Sequence, residues 1–275
     1  MSAPPGDRLA GARPVTIPRA VVRELTSSRG RGYDARLAWP EEEAPPEGFP
    51  VIYLLDAEAA FATTVEAVRM RSRRPDATAV VPAIVVGIGY GSEGAGVRAR
   101  RLQEYTPPAN AELLEFLDDE VKPEVERTFP IDRTRQSLLG HSLGGLFVVQ
   151  ALLSRPAAFR TYVAVSPSLW RDRDAVFTAV GALQEDPARP LGDSRVLITV
   201  GEYEQTLAPW QVGQPGTDAI AQRRRDRQMV DDARRLAARL DPLAATVRFE
   251  LFAGEDHASV VTLSISKCLR LCLAP

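Results

Sequence analysis

The sequence predicts an α/β fold with a mostly parallel central sheet of about eight strands and helices on both faces. Short apolar runs, of the kind buried on both sides in a parallel sheet, occur at residues 51–55, 80–88, 136–139, 162–165, 196–200 and 247–252. Helix-like segments alternate with them, at residues 59–71, 111–127, 143–154, 174–184, 224–240 and 259–273. This alternation of strand and helix is typical of α/β folds.

An antiparallel strand pair is predicted before this pattern. Residues 21–27 and 33–39 alternate in polarity, and the four residues from Arg29 to Gly32 are typical of a turn. Residues 1–18, rich in Pro, Gly and Ala, are expected to be a disordered N-terminal segment. Residues 19–275 are expected to form a single domain, since a chain of 275 residues suits one α/β domain better than two.

Composition is that of an ordinary globular protein, with 45% apolar and 25% charged residues. A net charge of -2 and a pI of about 5.9 argue against a nucleic-acid-binding protein. The sequence shows no leader pattern and no run of about 18 apolar residues, so we expect a cytoplasmic protein without membrane contact. A chain whose signal peptide had been removed would give the same pattern.

Cysteine and histidine are scarce. Cys268 and Cys272 lie four residues apart and are expected to be buried thiols on one face of the last helix. The only histidines are His141 and His257, so no cluster with metal-ligand spacing forms and no metal site is predicted.

Two connections, at residues 90–110 and 202–217, are unusually long. Long loops in a compact domain tend to be functional. Because both follow apolar runs, we expect both at the carboxyl edge of the sheet, where α/β proteins place their sites.

A nucleophile motif lies between the predicted strand 136–139 and the predicted helix 143–154. The residues Gly140-His141-Ser142-Leu143-Gly144 match G-x-S-x-G. In this strand–turn–helix context the motif is the nucleophile elbow of the α/β-hydrolase fold, a strained turn that projects the serine oxygen above the sheet. The sequence therefore predicts this fold with Ser142 as nucleophile; a glycine-rich turn with an incidental serine is the alternative.

Serine needs a base, and His257 is the predicted one. His141 is adjacent to Ser142 on a sharp turn, so its side chain is expected to point elsewhere, whereas His257 follows the last predicted strand. In this fold the acid lies between serine and histidine in chain order. Glu204, after the strand 196–200, is preferred, Glu202 is the second candidate, and a Ser–His dyad stays open.

The tetrahedral intermediate of ester hydrolysis needs hydrogen-bond donors for its oxyanion. One is expected to be the backbone N–H of Leu143. The other is expected from the turn at Asp56-Ala57, after the strand 51–55. This chemistry needs no metal or organic cofactor, and none is predicted.

Seven stretches carry a family resemblance. They are Tyr53-Leu54-Leu55-Asp56, Val85-Val86-Gly87-Ile88-Gly89-Tyr90, Arg100-Arg101-Leu102-Gln103-Glu104-Tyr105-Thr106-Pro107, Phe116-Leu117-Asp118-Asp119-Glu120-Val121-Lys122-Pro123, the elbow, Ser166-Pro167-Ser168-Leu169-Trp170 and Gly201-Glu202-Tyr203-Glu204-Gln205. From about residue 20 to its end the chain resembles the esterase family that includes esterase D and the enterochelin esterases, most of all siderophore trilactone hydrolases of the IroE and BesA kind.

The resemblance implies further site residues. It implies an oxyanion donor at Ala57, where the family usually has glycine, and a substrate-facing arginine at Arg100 or Arg101. It also keeps the dyad open, because members of the subfamily have been described with a Ser–His dyad.

A siderophore trilactone carries catecholates and, when loaded with iron, strong negative charge. Arg100 and Arg101 are expected to meet this charge, since arginine suits planar and anionic groups. Four aromatic residues are candidates for stacking on the substrate, with packing between loops as the alternative: Tyr105, Trp170, Tyr203 and Trp210. The basic run 223–227 is interpreted as a solvated helix face, with a lid-like patch that attracts an anionic substrate as the alternative.

The sequence thus predicts a serine esterase that forms an acyl-serine intermediate. Its expected substrate is a catecholate siderophore of the enterobactin kind, ferric or apo, as the trilactone or the linear trimer. A general small-ester or acyl-thioester hydrolase of the same family is one alternative, and a non-catalytic binding protein with a hydrolase fold is another. We expect a monomer or small homo-oligomer.

Overall fold

Eight strands form one sheet in the computed structural model, which describes residues 12–91, 95–185 and 191–274. In chain order they are β1 (Ala20–Thr26), β2 (Gly32–Ala38), β3 (Phe49–Leu55), β4 (Ile84–Gly89), β5 (Ile131–His141), β6 (Thr161–Val165), β7 (Arg195–Gly201) and β8 (Thr246–Phe252). Their order in the sheet is β1-β2-β4-β3-β5-β6-β7-β8. The β1–β2 and β2–β4 pairs are antiparallel and the remaining pairs are parallel. The predicted sheet is therefore confirmed.

Helices connect the parallel strands. They are α1 (Ala57–Ser72), α2 (Pro75–Thr78), α3 (Ala95–Glu104), α4 (Asn110–Glu115), α5 (Lys122–Thr128), α6 (Leu143–Ser154), α7 (Arg173–Glu185), α8 (Thr217–Arg227), α9 (Met229–Leu240) and α10 (Val260–Leu273). A π-helical segment, Phe116–Val121, joins α4 to α5. The predicted helix 111–127 is therefore one continuous helical stretch whose hydrogen-bonding pattern changes in its middle.

Two hydrophobic cores lie on opposite faces of the sheet. In β3, Val51, Tyr53 and Leu55 pack in one core together with residues of α6 and α9. Ile52 and Leu54 pack in the other, together with residues of α1 and α10. Both sides of β3 are therefore apolar, which is why this strand appears in the sequence as an unbroken apolar run.

One predicted loop and one predicted helix differ from the structure. The stretch 90–110 contains the helix α3, in which Arg100 Nε donates to Glu104 Oε1 at 2.7 Å, an i,i+4 pair that stabilises a helix. The predicted helix 224–240 is wrong, because α8 and α9 are separate helices. Gln228 between them has a φ of 50°, and a left-handed residue ends an α-helix.

The remaining predictions concern the N-terminal segment, the two cysteines and membrane-spanning helices. The predicted N-terminal segment lies largely outside the described residues, and residues 12–17 form neither helix nor strand. On α10, Cys268 and Cys272 are free and buried, as predicted. None of the helices that the structure describes has the length and apolar character needed to span a bilayer.

Gly48, just before β3, is a position where only glycine fits. Its φ is +88°, and a Cβ there would lie 2.6 Å from the carbonyl oxygen of Ile131. We expect Gly48→Ala to destabilise the fold by roughly 2–4 kcal/mol through strain and overpacking. Gly181→Ala is the control, because Gly181 lies inside α7 with open space around it and should gain about 0.5–1 kcal/mol. Urea denaturation of both variants measures this, and equal midpoints would contradict it.

Candidate active site

Ser142 occupies a sharp turn between β5 and α6. Its φ of 60° and ψ of −114° are strained for a residue with a side chain. The turn is held by a hydrogen bond of 2.9 Å from the Ser142 N–H to the Val165 carbonyl. A Cβ on Gly145 would lie 2.8 Å from that same carbonyl oxygen, and one on Gly140 would overlap the carbonyl of Gly144. Glycine at these positions therefore lets α6 pack directly on β5 and β6.

Three predicted residues meet at the carboxyl edge of the sheet. Ser142 follows β5, Glu204 lies in a 3₁₀ turn after β7, and His257 lies in the turn between β8 and α10. The His257 Nε2 atom is 3.0 Å from Ser142 Oγ, and its Nδ1 atom is 2.5 Å from Glu204 Oε2. With Nδ1–H donating to the carboxylate, Nε2 is free to accept the serine proton.

The Glu204 carboxylate is buried, with a side-chain exposure of 1%. Its Oε1 atom accepts hydrogen bonds from Ser166 Oγ at 2.5 Å and from the Gly201 N–H at 2.8 Å. Together with the imidazole, these donors offset the cost of removing a carboxylate from water. The sequence reasoning missed Ser166, although it lies in one of the stretches that carry the family resemblance.

The second candidate for the acid, Glu202, does not contact the imidazole. Its Oε2 atom accepts a hydrogen bond of 2.7 Å from the Gly254 N–H. The Tyr203 N–H donates to the Glu255 carbonyl at 2.9 Å. Glu202 therefore fastens the turn that carries His257, and its assignment as an alternative acid is wrong.

His141 supports the same turn from the other side. Its Nε2 atom lies 2.8 Å from the backbone carbonyl oxygen of His257, and the two rings are 4.5 Å apart between centroids. Burial, and after it the charge of the nearby His257, lower the pKa of His141 to about 4. His141 is therefore neutral near pH 7, and its Nε2–H donates to that carbonyl.

The two expected oxyanion donors each begin a helix. Ala57 is the first residue of α1 and Leu143 the first of α6, so their N–H groups have no acceptor within their own helix. The helix starts are adjacent, since a Cβ on Gly144 would lie 3.4 Å from Asp56 Oδ2. The backbone of Asp56 adopts the left-handed conformation, with φ 56° and ψ 52°.

Arg101 and Tyr105 hold the turn at Asp56. Arg101 donates to both carboxylate oxygens of Asp56, at 2.6 and 2.7 Å, and the Tyr105 hydroxyl donates at 3.0 Å. Tyr105 is only 1% exposed. Their prediction as substrate-binding residues is therefore corrected, because both are directed to a carboxylate that positions the start of α1.

Arg100 is also directed away from the pocket beside Ser142. Its Nε atom pairs with the buried Glu104, and its guanidinium carbon lies 4.4 Å from the centre of the Tyr33 ring. The predicted contact with substrate is therefore corrected for Arg100 as well. The physical reason is α3, which the sequence reasoning treated as a loop and which directs this side chain at an internal carboxylate.

A pocket of about 410 Å³ opens beside Ser142. It is lined by Ser142, Leu143, Ser168, Trp170, Arg171, Tyr203, Glu204, Ile220, Arg223, Arg224, Arg227, Met229 and His257. Two predicted aromatic residues, Trp170 and Tyr203, therefore line it. Trp210 is absent from the lining; it is 61% exposed and packs edge-on against Tyr203 with ring centroids 5.3 Å apart.

Arginines of α8 form one wall of this pocket. Ile220, Arg223, Arg224 and Arg227 follow the spacing i, i+3, i+4, i+7, which places them on one face of the helix. The run is largely exposed, as a solvated face predicts, with Arg224 half-buried. Arg223, Arg224 and Arg227 nevertheless line the pocket, which the interpretation as a purely solvated face did not anticipate. The spacing could have revealed the wall if the start of α8 at residue 217 had been recognised.

The fold and the site together define an α/β-hydrolase. A family model described as "Putative esterase" matches residues 26–245. The chain belongs to this esterase family, which confirms the resemblance found in the sequence.

Relatives along nearly the whole chain agree with this family. Ferri-bacillibactin esterase BesA of Bacillus subtilis (strain 168) is 36% identical over 285 residues, 94% of this chain and 91% of BesA. The siderophore triacetylfusarinine C esterase of Aspergillus fumigatus is 31% identical, over 97% of this chain and 96% of that protein. The solved structure of siderophore hydrolase EstB from Aspergillus nidulans superposes with a TM-score of 0.84 at 27% identity, covering 95% and 97% of the two chains.

The neutral state of His141 predicts a pH dependence of stability. Its folded pKa of about 4 is below the ordinary value of about 6.5, so the unfolded chain binds more protons between these values. This stabilisation is complete above about pH 6.5 and is lost as the pH falls towards 4. In His141→Gln, which retains a donor for the His257 carbonyl, the fall in urea midpoint between about pH 7 and about pH 5 should be smaller than in the wild type. Identical falls would refute the idea.

Proposed function

We propose that this chain is a serine esterase that hydrolyses ester bonds of siderophores through an acyl-Ser142 intermediate. The observation that carries the proposal is the hydrogen-bonded chain from Ser142 through His257 to Glu204 beside an open pocket. The names of the relatives described above, which are siderophore esterases, support the substrate class.

Acylation begins when Ser142 Oγ attacks the ester carbonyl carbon. His257 Nε2 takes the hydroxyl proton, and the carboxylate of Glu204 stabilises the resulting imidazolium through Nδ1–H. Negative charge develops on the former carbonyl oxygen. The N–H groups of Leu143 and Ala57, at the starts of α6 and α1, stabilise that charge.

Collapse of this intermediate breaks the bond between the carbonyl carbon and the alcohol oxygen. His257 gives its proton to the leaving alcohol, and the acyl group stays on Ser142. A water molecule then attacks the acyl carbon while His257 accepts one of its protons. The carboxylic acid leaves, and the proton returns from His257 to Ser142.

The pocket suits an aromatic, anionic ester. Trp170 and Tyr203 are aromatic residues in its lining, and the arginines of α8 contribute positive charge. A catecholate siderophore, as the trilactone or the linear trimer, has both features. The proposed partner is thus a small-molecule ester rather than nucleic acid or a membrane. The proposal further places the chain in the cytoplasm, as a monomer or small homo-oligomer.

The role of Glu204 can be separated from a dyad mechanism. In Glu204→Gln an amide N–H₂ would face His257 Nδ1–H and favour the wrong tautomer, so kcat for p-nitrophenyl butyrate should fall roughly 10³–10⁴-fold. Glu202→Gln is the matched control and should retain kcat within about threefold, since the glutamine side-chain oxygen can still accept the hydrogen bond from the Gly254 N–H. Similar kcat values for both variants would establish the dyad instead.

The substrate class is tested with enterobactin. Purified protein is mixed with the apo and the ferric trilactone, and the products are followed by mass spectrometry. We expect addition of water to one ester bond and no reaction with Ser142→Ala. Turnover of p-nitrophenyl butyrate without cleavage of either trilactone form would show an esterase with another substrate.

A further inference from the structure

Three arginines of the pocket form no salt bridge with the part of the chain that the structure describes. Among the residues that the structure describes, no carboxylate lies within 4 Å of the guanidinium groups of Arg171, Arg223 or Arg227. Glu204 is the acidic residue in the pocket lining, and its oxygens are occupied by His257, Ser166 and Gly201. The pocket therefore presents a net positive wall to any molecule that reaches Ser142.

The arginine wall is held in place by Arg224. Its Nη1 atom donates to the Thr206 carbonyl at 2.5 Å and to Gln211 Oε1 at 2.7 Å, which ties α8 to the loop after β7. Asp256 and Glu204 both lie near enough to act on Arg224 electrostatically, so part of the Arg224 charge is balanced. Arg223 and Arg227, one helical turn apart, remain available to a ligand.

Two of the pocket arginines contact the ring of Trp170. The guanidinium carbons of Arg171 and Arg227 each lie 4.5 Å from the centroid of the Trp170 ring. This distance is typical of a cation–π contact, which orients a guanidinium without neutralising it. An aromatic surface and unneutralised cations therefore lie side by side in the same pocket.

We infer that Arg171, Arg223 and Arg227 select the substrate by charge and favour the iron-loaded form of a catecholate siderophore ester. This inference rests on the proposed esterase function. Catechols that are free of iron keep their protons near neutral pH and are uncharged. Around ferric iron they become dianions, and three of them exceed the charge of the metal ion, so the ferric complex is a polyanion. A ferric complex of three hydroxamates is neutral and lacks this match.

The experiment compares kcat/KM for ferric enterobactin with that for apo enterobactin. In the wild type we expect a ratio above about ten in low salt, falling as sodium chloride screens the charges. The double variant Arg223→Gln/Arg227→Gln should lower the ratio roughly tenfold, towards equal use of the two forms, mainly through KM for the ferric substrate. Arg227→Lys should keep part of the preference for the ferric substrate, because lysine retains the charge and loses the planar group.

Arg225→Gln is the matched control. It removes one positive charge from the same helix, as each of the two pocket substitutions does, but Arg225 lies outside the pocket lining and donates to Gln222. The ratio should stay within about twofold of the wild type. Far-UV circular dichroism and thermal melting of each variant show whether the fold is retained.

Three outcomes would overturn the charge selection. One is an unchanged ratio in the folded double variant, and another is an equal loss in Arg225→Gln. The third is wild-type cleavage of ferric triacetylfusarinine C, a neutral trishydroxamate ester, as fast as ferric enterobactin. Failure of the wild type to cleave any siderophore ester would instead refute the proposed function, so the two failures are distinguishable.

Discussion

The buried carboxylate of Glu204 is the constraint on which the rest of the site depends. An ionised carboxylate removed from water must find donors, and here they come from three places in the fold. The Gly201 N–H lies at the end of β7, Ser166 follows β6, and His257 follows β8. Satisfying this single charge therefore requires the ends of three strands to be in register. The same register places the His257 imidazole against Ser142. The packing that satisfies the Glu204 carboxylate therefore also aligns the catalytic residues.

The arginines predicted to meet the substrate and those of the pocket wall differ in their neighbours. Arg100 and Arg101 face Glu104 and Asp56, and they stabilise the scaffold beneath the site. Arg223 and Arg227 face the pocket, where none of the described carboxylates reaches them. The side chain is the same in both groups. What differs is whether its counter-charge belongs to the protein or is left for a ligand.

This division explains how far the sequence could be used for prediction. The elbow and His257 were predictable because the fold limits them to a local motif and to a position after the last strand. The sheet was predictable because strands buried on both faces are continuous apolar runs. The role of Arg101 was not, since its partner Asp56 lies 45 positions away in the chain. The boundary between α8 and α9 was obscured for a different reason, which is local: α8 ends before Gln228, whose left-handed conformation sequence periodicity does not register.

The catalytic groups and the pocket wall also rest on different parts of the chain. Ser142 and the helix starts at Ala57 and Leu143 are fixed by the sheet and by glycine contacts that tolerate little change. The wall belongs to α8, a helix with one buried residue, Thr217, and many exposed ones. Substitutions at exposed positions usually cost little stability. Selection can therefore alter the charge of α8 and the substrate it admits, while the buried register that aligns His257 with Ser142 stays intact.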